Sequence, residues 1–269
     1  MASDGYGACK LTGFAGKYVR SHILPKALTR ASEPGLPFVQ GGVGFPATRR
    51  WDSWYDCNLV IRKGEAILAE LDSWSIRFLR ENLLVWSGWG QSSVLPCSNN
   101  LIDEDEGGFR VVGPADFSKL RVFFLSILWR AAASTLREMG EISLSEADVA
   151  TLGMLVVAGD PGPPSFFPIQ LAQLSTRGEA HNHSPILTTK FIPDVRSGFG
   201  GYDVPVYRFY FDGLIAHFHL PSTDTEAVSN LGNLVVGQAD TLTVVTVPYG
   251  NSFQKQNLDH IIFETEHPQ

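Results

Sequence analysis

The sequence predicts an α+β protein: a small irregular N-terminal module, then central helices, then an antiparallel β-rich half. Three observations lead there. Residues 1–63 are rich in Gly, Pro and aromatics and show little helical periodicity. Two long stretches then repeat apolar residues at helical spacing. Beyond about residue 164 the apolar pattern changes to period two. We place the division at residue 82, giving a module over 1–82 and a helical and β-rich unit over 83–269.

Each element has a local reason. "ASEPGLPFVQGGVGFPATRR" (31–50) reads as a long loop with Pro and Gly at turn positions, and such loops are functional or mobile. "KGEAILAELDSWSIRFLREN" places Ile67, Leu68, Leu71, Trp74, Phe78 and Leu79 on one face, predicting an amphipathic helix over 64–81. "ADFSKLRVFFLSILWRAAASTLREM" is apolar nearly all round and predicts a buried helix over 115–139, the central strut. A third helix is expected to start at "SLSEADVATLGMLVV", with Ser143 and Glu146 as a capping box. Strands are expected in "SFFPIQLAQL", "SPILTTKFI", "PVYRFYF", "LIAHFHL" and "TLTVVTVP". Asp212-Gly213 joins two of them as a type I′ hairpin signal, because both residues accept positive φ. "IDEDEGGF" reads as an acidic exposed loop.

Composition excludes several classes. At 269 residues, 44% apolar and 18% charged, the chain is ordinary globular material. The longest apolar stretch, "LRVFFLSILWRAAA", is interrupted by Arg121 and Arg130, so no membrane span is expected. The N-terminus lacks an apolar signal core, and Cys9, Cys57 and Cys97 are too few and irregular for a disulfide framework. Both point to the cytoplasm. Charge is uneven: residues 1–63 hold nine Lys/Arg against four acids, +5, which leaves −12 of the total −7 for the remainder. A basic segment on an acidic body suits either phosphate contact or mutual attraction of the two parts.

The N-terminal segment "CKLTGFAGKYVRSHILPKAL" carries a resemblance. "SHILPKALT" is similar to the His-Ile-x-Pro segment of HNH-type endonucleases, in a bacterial subgroup with Ser before the His. "WDSWYDCNLVIRKGEAILAELDSW" resembles the subgroup's second half, and "FFLSILWRAAAS" a segment that follows. The resemblance covers about the first half of the chain. It implies a ββα, treble-clef-like module in which two Cys-x-x-Cys pairs bind a bracing zinc. Here Cys9 stands at the first zinc position, Thr12 at its partner's, and Ile61 and Gly64 at the second pair's. One thiol does not hold a structural zinc, so none is expected. Trp51, Trp54, Tyr55 and Trp74 are the expected replacement core.

The same resemblance makes His22 the general base, with Ser21 where nucleases place an Asp. Glu65 and Asp72, seven residues apart on the predicted helix, share a face and are the candidate ligands for Mg²⁺ or Mn²⁺. A turn histidine bonded to backbone is the competing reading of His22. Lys17, Arg20, Lys26, Arg49 and Arg50 are the expected nucleic-acid contacts. In the β-rich half, His181-Asn182-His183 spells the family name only by coincidence. His217 and His219 point to one strand face and, with Glu226 or His260, offer an alternative metal site. Two half-exposed histidines on an amphipathic strand are the simpler alternative. No phosphate-binding glycine loop and no nucleophile elbow occurs.

Three functions follow as expectations. The first is a bacterial or phage HNH-like protein without zinc or catalysis. It would bind DNA, RNA or a protein assembly, such as an antiviral defence complex. The second is an active metal-dependent endonuclease using His22. The third is a His-x-His metalloenzyme.

Overall fold

The computed structural model describes residues 5–29, 35–42, 44–103, 107–193, 200–222 and 225–266. Strands β1 (Tyr6–Ala8) and β2 (Ala15–His22) open the chain. A hairpin follows, β3 (Phe38–Gly42) and β4 (Phe45–Arg50), and then β5 (Tyr55–Ile61), which runs directly into helix α1 (Arg62–Glu81). β5 returns antiparallel to β2, giving a sheet ordered β1-β2-β5. Helix α1 starts and stops within two residues of its predicted ends.

The β3–β4 hairpin corrects the expected loop over 31–50; residues 30–34 and 43 lie outside the described ones. Glycines hid it. Gly41 and Gly42 sit in β3, where a Cβ at Gly41 would come within 2.8 Å of Ile261 and one at Gly42 would collide with Ser184. The strand therefore needs glycine to let other chain segments approach, and loses the alternation that marks a strand.

Strands β6 (Asn100–Asp103) and β7 (Gly107–Val112) form a second hairpin. They contain both ends of the expected acidic loop; Glu104, Asp105 and Glu106 lie outside the described residues. Helix α2 (Ser118–Ala133) is shorter than predicted. The Asp56 carboxylate accepts from Ser134 Oγ at 3.0 Å and Thr135 N at 2.9 Å, drawing the chain off the helix axis toward β5. Every residue from Leu120 to Ala131 is buried, as the all-round apolar pattern requires. Helix α3 (Glu146–Ala158) is capped by Ser145, not Ser143: Ser145 Oγ accepts from Asp148 N at 3.1 Å. The cap lies two residues later because Asp148, not Glu146, completes the reciprocal pair with Ser145.

Every predicted C-terminal strand is present: β8 (Ile169–Leu174), β10 (Ile186–Pro193), β11 (Gly201–Phe211), β12 (Leu214–His219) and β13 (Leu242–Val247). A short strand, β9 (His181–His183), was not expected; it pairs parallel with β3 in a sheet ordered β4-β3-β9. The large sheet runs β10-β11-β12-β8-β13-β7-β6, antiparallel except where β13 meets β8. Asp212 and Gly213 turn between β11 and β12 with φ of 51° and 79°, as a type I′ turn requires. Helices α4 (Thr225–Ser229) and α5 (Phe253–Glu266) complete the chain. Among the described residues no helix is long and apolar enough to cross a membrane.

One apolar cluster joins Cys9, Leu24 and Leu68 to Phe123 and Leu128 of α2 and to Phe209 and Val244 of the large sheet. It runs through both units on either side of residue 82. The expected aromatic replacement core is corrected in part. Trp54 is buried, and Trp74 stacks on Phe78 with centroids 5.2 Å apart. Trp51 and Tyr55 are exposed, since both occupy the solvent side of the β4–β5 connection and its first strand residue.

Candidate functional site around His22 and Asp52

His22 ends β2 directly opposite Tyr55 in β5, and a bulge between Val19 and Ser21 re-aims the strand just before it. Its Nε2 lies 2.9 Å from Asp52 Oδ1. The carboxylate accepts, so Nε2 carries the proton shared with Asp52. Asp52 is held further by Arg20 and by Lys26 Nζ at 3.4 Å, and its Oδ1 accepts from Ser53 N at 3.1 Å. Burial pushes the Asp52 carboxyl up, but the His22 hydrogen bond and the charges of His22, Arg20 and Lys26 outweigh it. The group lies below the ordinary carboxylate range. The Arg20 guanidinium also stacks 3.5 Å from the Tyr55 ring centroid. The result is a half-exposed imidazole with an acidic orienting partner and two cations within reach.

Beneath His22 lies a second layer. Arg130, 1% exposed, donates to Asp72 through Nη1 at 3.0 Å and Nη2 at 2.6 Å, and reaches the His22 carbonyl at 3.4 Å. Glu65 shares this environment. Burial raises its pKa, and neighbouring Asp72 adds to the rise, while Ser21, Arg130 and His22 oppose it. Ser21 is close enough to lower Glu65, yet neither Ser21 Oγ nor Glu65 Oε2 completes a hydrogen bond among the described residues.

The expected site residues His22, Glu65 and Asp72 thus do converge, but not as a cation cage. Asp72 spends both oxygens on a guanidinium, and burial disfavours the charged form of Glu65. Among the described residues no group of three or more His, Cys, Asp or Glu side chains is arranged to hold a metal. This donor set does not fit Mg²⁺ or Mn²⁺.

A separate point gathers Cys9, Thr12, Ile61 and Gly64. Burial raises the Cys9 thiol, but the nearby Thr12 hydroxyl and the backbone N–H groups of Ile61, Thr12 and Leu11 bring it below its ordinary value. A Cβ added to Gly64 would lie 2.8 Å from Cys9 Sγ. One thiol, one hydroxyl, an isoleucine and a glycine do not fit a structural zinc.

Of the expected nucleic-acid contacts, Arg20 and Lys26 meet at Asp52. Lys17 and Arg20 line an open depression with Arg62 and Lys63 along β2 and the start of α1. Arg49 and Arg50 are exposed at the end of β4, three and two residues before Asp52. His217 and His219 do share one face of β12, but their neighbours are cations. Burial and Lys190 hold His219 down at about 4; burial, Lys190, Arg208 and His219 hold His217 lower than ordinary. This setting repels a metal dication. The Glu226 side chain lies outside the described ones, and His260 is exposed on α5. His181 and His183 are structural: His181 Nδ1 donates to the Glu179 carbonyl at 2.8 Å, and His183 Nδ1 to that of Ser184 at 2.7 Å.

Asp52 and Arg130 are the site residues that sequence reading missed. A cation within an all-round apolar helix implies a buried partner, and that unused signal could have found Arg130. Asp52 carried no local signal, because it lies 30 positions from His22. Comparison with protein-family models, with curated proteins and with solved structures gave no match to this chain.

Proposed function

We propose that the chain is an HNH-like protein whose N-terminal module has replaced its zinc by packing and acts by binding nucleic acid. The meeting of Cys9, Thr12, Ile61 and Gly64 around one thiol carries this reading. These are the positions at which the resemblance puts four zinc ligands, and they have come together without the means to bind the ion. The strand–strand–helix order of β2, β5 and α1 supports the same reading. So does the seating of α2 on the module through Arg130 and Asp56. A cytoplasmic role in bacterial or phage-directed defence, with a protein assembly as partner, belongs to this proposal through the resemblance alone.

The site's charge favours binding over hydrolysis. Arg20, Lys26, Lys17, Arg49 and Arg50 supply an exposed basic surface, while of the two carboxylates a metal would need, Asp72 is tied to Arg130 and Glu65 is disfavoured as a charge by burial. Duplex DNA or RNA binding that weakens in Arg49→Ala/Arg50→Ala, across all sequences alike, tests it. The second reading, an endonuclease with His22 as base, is favoured by the His22–Asp52 pair. Under that reading His22→Ala abolishes cleavage and leaves the melt little changed; cleavage undiminished in this variant removes it.

A further inference from the structure

The large sheet carries a cationic cluster far from His22 in sequence. Across neighbouring strands, Arg208 of β11 stands opposite His217 of β12, which stands opposite Gln170 of β8. Lys190 of β10 and His219 of β12 lie on the same sheet face. Lys190 Nζ donates to Gln170 Oε1 at 2.5 Å, and His219 Nε2 donates to the same oxygen at 3.0 Å. Arg208 is 8% exposed and packs 5.0 Å from the Phe253 ring centroid. Among the described residues no carboxylate comes within ion-pair distance of Lys190 or Arg208. A buried arginine beside a half-buried lysine, with no counter-charge among the described residues, is a costly arrangement that a bound anion would offset.

We propose that Lys190, Arg208, His217, His219 and Gln170 form a binding site for a phosphate group, as the free ion or as the monoester of a small molecule. Two fixed cations match a dianion; a carboxylate would offset only one. His217, disfavoured as a cation by burial and by these charges, adds an N–H donor, while the His219 N–H helps to hold the Gln170 oxygen in place. The low exposure of Arg208 and Gln170 favours a small ligand over a polymer backbone. The proposal does not rest on the reading of the N-terminal module.

Calorimetric titration of the full chain with inorganic phosphate and with adenosine 5′-monophosphate, at fixed chloride ionic strength, tests it. Saturable binding is expected, weakened at least about tenfold in Lys190→Met and kept in Lys190→Arg. Tighter binding of the nucleotide identifies a monoester ligand, and tighter binding of phosphate the free ion; either supports the site. In phosphate-free buffer Lys190→Met should melt higher than wild type, because it removes an uncompensated charge. Should that variant not fold, Gln170→Leu removes the oxygen that positions the lysine and should weaken binding similarly. Absence of saturable binding by both probes, or wild-type affinity in folded Lys190→Met or Gln170→Leu, overturns the proposal.

Discussion

Cys9 and Gly64 are in contact across the N-terminal module: a single added carbon on Gly64 would stand 2.8 Å from the Cys9 sulfur and 3.1 Å from Val60 Cβ. The thiol thus packs against a glycine on the first turn of α1 as an apolar atom would. Gly64→Ala should destabilise the protein by about 1–3 kcal/mol through this overlap. Cys9→Ala alone should cost less, and the double variant should recover part of the Gly64→Ala loss. A thermodynamic cycle from denaturant melts measures this coupling. Strict additivity would show that the two sites do not press on one another.

Metal removal should leave the fold untouched. With a single thiol at this point, the melting temperature should be the same with and without a chelator, and purified protein should carry no stoichiometric zinc. A chelator-induced drop in melting temperature would show that another donor set braces the module.

The Arg130–Asp72 pair predicts an asymmetric response. Arg130 is buried and its Nε has no partner among the described residues, so Asp72→Ala should cost about 3 kcal/mol by leaving the guanidinium unpaired. Replacing both, as Arg130→Met with Asp72→Leu, should recover most of that loss in a denaturant melt. Asp72 is 20% exposed on its side chain, which allows water to offset part of the single-variant cost.

Stability should vary with pH in two separate windows. Burial opposes but does not overcome the hydrogen bonds and charges that hold Asp52 and Asp56 low. Their contribution is complete above about pH 4 and is lost as pH falls through the native values. Asp212 runs the other way. Burial pushes its carboxyl up to about 6, so the native state holds a proton that the unfolded chain releases. Its contribution is present at low pH and is lost as pH rises from about 4 to 6. Asp212→Asn, which tolerates the positive φ, should flatten that second window and gain up to about 2 kcal/mol at pH 7. Urea melts between pH 4 and 7 read the difference; an unchanged slope in the variant would assign the window to another group.

The elements readable from sequence were those with a local cause. The stripe from Ile67 to Leu79 marked α1, and Asp212-Gly213 marked its hairpin, because helix faces and positive φ are written in neighbouring residues. The hairpin over 38–50 was hidden by Gly41 and Gly42, whose reason is the approach of Ile261 and Ser184 from the C-terminal half of the chain. The third helix began two residues later than expected, since Ser143 and Ser145 offer nearly equivalent caps and side-chain geometry chose between them. At the candidate site His22 was legible and Asp52 was not. Trp51 and Tyr55 were candidates for a core replacing the zinc, but a place in the β4–β5 connection and at the first residue of β5 leaves both exposed.

Equilibrium binding of the full chain to a labelled DNA duplex and to an RNA of the same length, followed by anisotropy from 50 to 200 mM salt, bears most directly on the N-terminal module. With contacts from Lys17, Arg20, Lys26, Arg49 and Arg50, the logarithm of affinity should fall with log salt at a slope of roughly −4 to −5 for duplex DNA. Arg49→Ala/Arg50→Ala should reduce that slope by about 2 without creating sequence preference. Absence of binding, or binding indifferent to both salt and these arginines, would contradict the nucleic-acid reading and leave a protein partner as the module's target.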